Sequence, residues 1–205
     1  ARRRGAASAG LSGAARSGTQ DAPRAHADGD TRAILVTLHR REAFGERLEQ
    51  MCRAIADLSR QAGPGVRIVC PVHPNPNVAG PMRAILAGEP GVTLVAPMDY
   101  PSAVALLAEC DFVMTDSGGL QEEAPALGKP VLVLRDATER PEGVEAGVAE
   151  LVGRDPGRIV SAALRLLRDR DAYGRMARVV YPYGDGHAAS RIVDALRSRA
   201  TEKRP

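Results

Sequence analysis

Short apolar segments alternate with amphipathic helical segments along most of this chain, and this alternation restricts the fold more than any other feature. The apolar run at 32–38 is followed at 44–62 by apolar residues spaced three and four positions apart, as on one face of a helix. Continuous apolar strands that alternate with helices are typical of a parallel sheet covered on both faces. The sequence therefore predicts a Rossmann-like α/β fold with a doubly wound parallel sheet. Further strands are predicted at 66–72, 92–97, 111–116, 130–135 and 149–153, and further helices at 77–88, 102–110, 119–128, 157–169 and 187–199.

The first thirty residues differ from the rest of the chain in composition. Residues 1–30 are rich in Ala, Gly, Arg and Ser and contain few large apolar side chains, so we expect a linker or disordered segment there and a single domain over 31–205. Five Arg and three Asp in this segment account for most of the net charge of +3. Because the remaining chain is nearly neutral, its charge gives no reason to expect a nucleic-acid partner. No apolar run approaches the ~20 residues of a membrane-spanning helix, so no membrane association is expected.

The three cysteines are widely spaced. Cys52, Cys70 and Cys110 form no CxxC pair, which favours buried, reduced side chains over a disulfide framework or a zinc site. We therefore expect a reducing compartment and a cytoplasmic location.

Polar residues gather where the predicted strands end, which is where ligands bind in sheets of this kind. The sequence TDSGGLQEE (115–123) predicts a strand, a turn of small residues and the start of a helix. Ser117, Gly118 and Gly119 would offer backbone N–H groups to a phosphate at the positive end of the helix dipole. An alternative needs no ligand: Asp116 or Ser117 caps the helix, and Gln121 or Glu122 completes a capping box.

Other strand ends carry candidate charged partners. Arg140 is suited to bidentate phosphate binding, and at most one of the adjacent Glu122 and Glu123 faces the site, where a carboxylate would accept from ribose hydroxyls. His39 ends the first strand, and His73 lies between two prolines after the second. His39 could be structural, could relay a proton or could donate to a phosphate, whereas the prolines around His73 hold it in a rigid turn or simply shape a loop. No further ligands stand at metal-binding spacing, so no metal is expected.

Four segments together resemble the non-hydrolysing UDP-N-acetylglucosamine 2-epimerases. They are TLHRRE (37–42), VHPNPNV (72–78), the long block at 115–142 and PYGDGHAASRIV (182–193), and the resemblance covers residues 32–199 in order. It implies the C-terminal half of a two-domain, glycosyltransferase-B type enzyme that interconverts UDP-GlcNAc and UDP-ManNAc. The implied reaction is anti elimination of UDP followed by re-addition, without a cofactor, to supply precursors of surface polysaccharide.

The resemblance also implies roles for individual residues. His39 corresponds to a catalytic histidine, and Ser117, Gly118 and Gly119 correspond to the diphosphate cradle. Glu123 corresponds to the carboxylate that binds ribose. In the same way Arg140 matches an arginine of the UDP site, whereas Arg40 and His73 match residues that contact a second, allosteric UDP-GlcNAc in some bacterial members. Near Ala103 many members have an aromatic residue that helps form the uracil pocket, and here the sequence departs from the family.

The resemblance leaves the activity of this chain open between several hypotheses. The family's acidic proton-transfer residues belong to an N-terminal domain that this sequence does not show, so we expect the isolated chain to be inactive without that domain or a partner chain. The full enzyme is expected to be a homodimer. Alternatives are a non-catalytic UDP-sugar-binding module, a hydrolysing epimerase that releases ManNAc and UDP, and, more distantly, the donor domain of a glycosyltransferase.

Overall fold

The computed structural model describes residues 31–202, and the segment expected to be a linker, 1–30, lies outside them. Six parallel strands form one sheet in the order β3-β2-β1-β4-β5-β6, which is the doubly wound order of Rossmann folds. The predicted fold class is therefore confirmed. The strands are β1 (Arg32–Thr37), β2 (Val66–Pro71), β3 (Val92–Val95), β4 (Phe112–Thr115), β5 (Val131–Val133) and β6 (Ala149–Leu151).

Helices cover both faces of the sheet. They are α1 (Glu46–Ala62), α2 (Pro76–Leu86), α3 (Tyr100–Glu109), α4 (Gly118–Ala126), α5 (Pro141–Glu145), α6 (Pro156–Arg168), α7 (Arg170–Met176) and α8 (Ala188–Glu202). The central residues of β1 alternate between two apolar clusters: Ile34 and Val36 pack on the face covered by α1, α2 and α6, whereas Ala33 and Leu35 pack on the face covered by α3 and α4. All four residues are at most 3% exposed, so the centre of the strand is apolar because both its faces are buried.

Three short helical segments were not predicted from the sequence. They are a single 3₁₀ turn at Arg41–Ala43, α5 and α7. None is long enough to show the repeated three- and four-residue spacing on which helix prediction depends. In α7 the start is fixed instead by a side chain, because Asp169 accepts hydrogen bonds from the backbone N–H groups of Asp171 and Ala172.

The three cysteines are buried, as expected from their spacing. Burial raises the pKa of Cys52 and of Cys110 to about 12 and shifts the pKa of Cys70 in the same direction. These thiols therefore remain protonated at neutral pH and behave as small apolar side chains. Within residues 31–202 no helix is long and apolar enough to cross a membrane.

The direction in which successive parallel strands are added to the sheet reverses at its centre, between β1 and β4. From β1 the chain builds outward to β2 and β3, and from β4 it builds to β5 and β6 on the other side. The two central strands pair in register up to Thr37 and Thr115, whose hydroxyl oxygens lie 2.5 Å apart. The loops that leave these strands must therefore separate above the same edge, which creates the crevice where ligands of doubly wound folds bind.

Candidate functional site

The turn after β4 leads directly into the start of α4, as the sequence predicts. Ser117 precedes α4 with an extended backbone, and its N–H donates to Thr115 Oγ1 over 2.9 Å. Its own side chain makes no capping hydrogen bond to α4. The backbone N–H groups of the first helical turn, beginning at Gly118 and Gly119, have no partners within the helix and are available to an anion.

The buried side chain of Gln121 fixes the conformation of this turn. It is 1% exposed, and its Nε2 donates to the carbonyl of Ser117 over 3.0 Å while its Oε1 accepts from Thr138 Oγ1 over 2.6 Å. The same hydroxyl of Thr138 accepts from the backbone N–H of Arg140 over 3.1 Å. Gln121 therefore connects the turn to the segment that carries Arg140. The sequence suggested a role for Gln121 only in a capping box, and its side chain bonds to Ser117 O and Thr138 instead of forming that box.

Asp116 does not cap α4 either, because its side chain turns back toward the loop after β1. One carboxylate oxygen accepts from the backbone N–H groups of His39 and Arg40, each over 2.9 Å, and the other lies 2.9 Å from Nδ1 of His39. The Asp116 side chain is only 1% exposed, whereas that of His39 is 37% exposed. Asp116 therefore joins the two loops at the reversal point and leaves the histidine accessible.

His39 and His73 lie side by side although they follow different strands. Their ring centroids are 6.0 Å apart with an angle of 23° between the ring planes, so the rings are stacked. The backbone N–H of Asn75 donates to Nδ1 of His73 over 3.2 Å, which fixes the orientation of this ring. The structure thus brings together two residues for which the sequence suggested separate sites.

Two arginines extend over the turn at Gly118. Arg40 donates from Nε to the backbone carbonyl of Asp116 over 3.2 Å, and its Nη2 lies 3.3 Å from where a Cβ on Gly118 would stand. Nη2 of Arg140 lies 3.8 Å from the same point. Gly118 itself is buried beneath these side chains, and the absence of a Cβ lets the guanidinium groups come close to the helix start.

Carboxylates pair with both arginines. Glu122, rather than Glu123, hydrogen-bonds to Arg140, while Glu139 accepts from Arg40 over 3.1 Å and from Arg135 over 2.5 Å. A hydrogen bond from its own backbone lowers the pKa of Glu139, and so do the hydrogen bond and charge of Arg135 and the charge of Arg40. Glu139 is therefore held in its ionised form. This role of Glu139 was not visible in the sequence.

Glu123 is partly buried one position further along α4. Burial raises the pKa of its carboxyl, and the adjacent Glu122 raises it further. A hydrogen bond with a hydroxyl group would satisfy such a partly desolvated carboxylate without adding charge.

An apolar cavity of about 240 Å³ opens beside the two histidines. Met98, Ala103 and Leu120 line it together with His39 and His73. Among Met98, Ala103 and Leu120, only Ala103 could be connected with the ligand pocket from the sequence. A cavity that is apolar on its walls and polar at its rim is the usual form of a small-molecule site. Within the described part of the chain, no group of three or more His, Cys, Asp or Glu side chains is placed to hold a metal ion.

The fold and this arrangement define a Rossmann-like domain in which a helix start without a side-chain cap lies at the topological switch point. The family model described as UDP-N-acetylglucosamine 2-epimerase matches residues 11–197, and the chain belongs to this family. Among curated relatives, the UDP-N-acetylglucosamine 2-epimerase of Escherichia coli K12 is 51% identical over 171 residues, covering 83% of this chain and 45% of the relative. That of Yersinia pestis is 50% identical over 171 residues, again covering 83% and 45%.

Solved structures give the same result. The UDP-GlcNAc 2-epimerase of Neisseria meningitidis bound to UDP-GlcNAc is 41% identical with a TM-score of 0.79, and the match covers 83% of this chain and 46% of that one. The S. aureus MnaA–UDP co-structure is 38% identical with a TM-score of 0.78, covering 86% and 48%. The chain thus spans about half the length of the relatives it matches, consistent with the C-terminal portion of a glycosyltransferase-B type epimerase.

Proposed function

We propose that this chain is the nucleotide-holding part of a non-hydrolysing UDP-GlcNAc 2-epimerase, an isomerase that interconverts UDP-GlcNAc and UDP-ManNAc by elimination and re-addition of UDP. In the cytoplasm the product would supply the synthesis of surface polysaccharide. One observation carries the proposal: in this chain, which belongs to the family, Arg40 and Arg140 converge on the start of α4 at Gly118. Such an arrangement suits a diphosphate, because guanidinium groups and helix-start N–H groups both bind anionic oxygens.

The remaining parts of a UDP-sugar fit around that point. The diphosphate would lie on Ser117, Gly118 and Gly119 beside Arg140, with the ribose hydroxyls donating to Glu123. The apolar cavity next to His39 would take the nucleobase or the sugar, and the ring of His39 would face the reacting part of the substrate. The lining of the cavity supports a flat or apolar group there, and the partial burial of Glu123 supports a hydroxyl partner.

A second UDP-GlcNAc against Arg40 and His73 is proposed as the regulatory ligand. Arg40 reaches the space above Gly118, and His73 stacks on His39. The two ligands would therefore touch each other, since they share a border of two stacked histidines and one guanidinium group. Direct contact between ligands would give coupled binding without a movement of the whole fold.

A non-catalytic UDP-sugar-binding module is the second candidate. It is favoured by the length of the match, which covers only 45% of the E. coli relative. Both candidates require UDP to bind at the turn after β4, and they differ in whether the rest of the enzyme joins this chain.

Arg140→Ala is expected to weaken UDP binding by about tenfold or more, the usual scale for losing one charge-assisted hydrogen bond. The loss should be larger than for an isolated arginine, because removing Arg140 leaves the carboxylate of Glu122 near the phosphates without its partner. Calorimetric titration of the purified chain with UDP and with UDP-GlcNAc measures the effect.

The matched control is Arg53→Ala, which removes an exposed arginine that pairs with Glu49 on α1. This variant should bind UDP as the wild type does. Equal affinity in the Arg140→Ala and wild-type chains would contradict the proposed diphosphate site, and no binding to the folded wild-type chain would count against both candidate functions.

The exposed apolar face of helix α8 is proposed to pack against the half of the family's enzymes that this chain does not span. Ile192, Val193 and Leu196 lie on one side of the helix and are 59%, 44% and 63% exposed, and neither apolar core cluster includes a residue of α8. A helix of 15 residues is marginal in water unless an apolar face is covered. The family model extends to residue 197, so this helix is part of the shared architecture, and the half of the relatives that this chain does not span is the natural cover.

In the isolated chain, the amide hydrogens of α8 are expected to exchange with solvent much faster than those of α1, which packs against α2 and α6. Hydrogen exchange measured by mass spectrometry tests this. Joining the chain to the N-terminal part of the E. coli relative should protect α8 and leave α1 unchanged. Protection that instead rises with the concentration of the isolated chain would assign this face to a second copy.

A further inference from the structure

We infer that Asp116 is a positioning residue, a buried carboxylate that fixes the tautomer of His39 and holds His39 and Arg40 against the phosphate turn. The tautomer follows from the geometry alone. Its use toward a UDP-sugar rests on the proposed function above.

The Asp116 carboxylate is buried and surrounded by N–H groups. Its side chain is 1% exposed, and an ionised carboxylate at such a position is costly unless N–H groups surround it. Three do so here: the backbone N–H groups of His39 and Arg40, and Nδ1 of the His39 ring. These three N–H groups all belong to the loop that follows β1.

The contact with Asp116 determines the tautomer of His39. An ionised carboxylate only accepts hydrogen bonds, so the 2.9 Å contact with Asp116 Oδ1 requires a proton on Nδ1 of His39. In the neutral ring this leaves the lone pair on Nε2. Nε2 is then the nitrogen that meets a ligand, accepting from a hydroxyl when neutral and donating to an anionic oxygen when protonated. In carboxylate–histidine pairs of this kind, the carboxylate fixes the tautomer and so determines which ring nitrogen is available to the ligand.

The neighbouring His73 is held in the opposite tautomer. Its Nδ1 accepts from the backbone N–H of Asn75, so the proton of its neutral ring must be on Nε2. The two stacked rings of His39 and His73 are thus expected to carry their protons on different nitrogens, although they share a similar surrounding.

Asp116 also aims Arg40. The backbone N–H of Arg40 donates to the Asp116 carboxylate, and its Nε donates to the Asp116 carbonyl, which places Nη2 above Gly118. A single residue at the end of β4 therefore orients both the histidine and one of the two arginines.

The test is a long-range ¹H–¹⁵N NMR correlation of the histidine rings in the ligand-free chain, recorded at about pH 9, where neutral rings dominate. We expect His39 to carry its proton on Nδ1 and His73 to carry its proton on Nε2, with the signals of these two among the four histidines assigned through His39→Gln and His73→Gln. In Asp116→Asn the amide can turn its N–H toward Nδ1, so the His39 proton should move to Nε2 while His73 stays as it is. A proton on Nε2 of wild-type His39, or an unchanged His39 tautomer in a folded Asp116→Asn chain, would overturn the inference.

The result for the wild-type chain needs no variant, so it decides the tautomer even if Asp116→Asn does not fold. Asp116→Asn keeps an amide oxygen on the backbone N–H of Arg40, so Asp116→Ala is the variant that tests the orientation of Arg40. A folded Asp116→Ala chain should bind UDP at least about tenfold more weakly, since the backbone N–H of Arg40 loses its acceptor. Failure of the wild-type chain to bind UDP would count against the proposed function and leave the tautomer result standing. Wild-type UDP affinity in a folded Asp116→Ala chain would overturn the part of the inference that concerns Arg40.

Discussion

Gly118→Leu is expected to abolish measurable UDP binding and leave the fold intact. A Cβ at this position would lie 3.3 Å from Nη2 of Arg40 and 3.5 Å from Oε1 of Glu139, so a leucine occupies the space between the arginines and the helix start. Gly118 lies at the start of α4 and has no positive φ, so the backbone itself accepts a side chain. The nearest atoms are the ends of long side chains, which can move aside. The phosphates lose this space and at least two charge-assisted hydrogen bonds, a loss of about 100-fold or more.

Calorimetry with UDP and a thermal unfolding curve measure the two parts of this expectation. Gly80→Leu is the matched control, because Gly80 is an exposed glycine in α2 and a Cβ added there would meet no atom within 4 Å. It should keep both UDP affinity and stability. Gly118→Ala should weaken binding to an intermediate degree. Wild-type affinity in a folded Gly118→Leu chain would mean that the phosphates bind elsewhere.

The fold could be predicted because its signal is repeated. Each strand of β1 to β6 is short and apolar, and most of the intervening helices are long enough to show their spacing. The doubly wound rule places polar residues at the strand ends where ligands bind, and both His39 and the turn at Ser117 were predicted at such ends. In the structure His39 contacts Asp116, the residue directly before that turn.

The partners within the site could not be predicted. Asp116 meets His39 across 77 positions of sequence, and this contact depends on the register of β1 and β4 and on the direction of one side chain. The available signal was weak: an acidic residue directly after an apolar strand is either a cap or a buried partner, and the sequence does not distinguish them. The pairing of Arg140 with Glu122 and the position of Glu139 depend in the same way on the short helix α5, which has no periodic pattern.

The isolated chain is expected to show no epimerase turnover. Its candidate site is open on one side: the side chains of His39, Arg140, Glu122 and Glu139 are 33–44% exposed. Elimination at a sugar carbon needs a positioned base and exclusion of water, and a one-sided site supplies neither fully. The family resemblance assigns the acidic proton-transfer residues to the half of the enzyme that this chain does not span. The isolated chain would therefore bind UDP-GlcNAc and leave it unchanged.

Restoring the other half should restore activity. The N-terminal part of the E. coli relative, joined to this chain in place of the relative's own matched segment, is expected to convert UDP-GlcNAc to UDP-ManNAc at a rate at least about 1,000-fold above that of the isolated chain, since positioned acid–base groups contribute roughly that much. Anion-exchange chromatography of the nucleotide sugars measures the conversion, and free ManNAc with UDP would instead identify a hydrolysing enzyme. The same fusion carrying Gly118→Leu is the control: it should fold and remain inactive. Turnover by the isolated chain would contradict an active site that needs residues from both halves of the enzyme. A fusion that binds UDP but is inactive would favour the non-catalytic binding module.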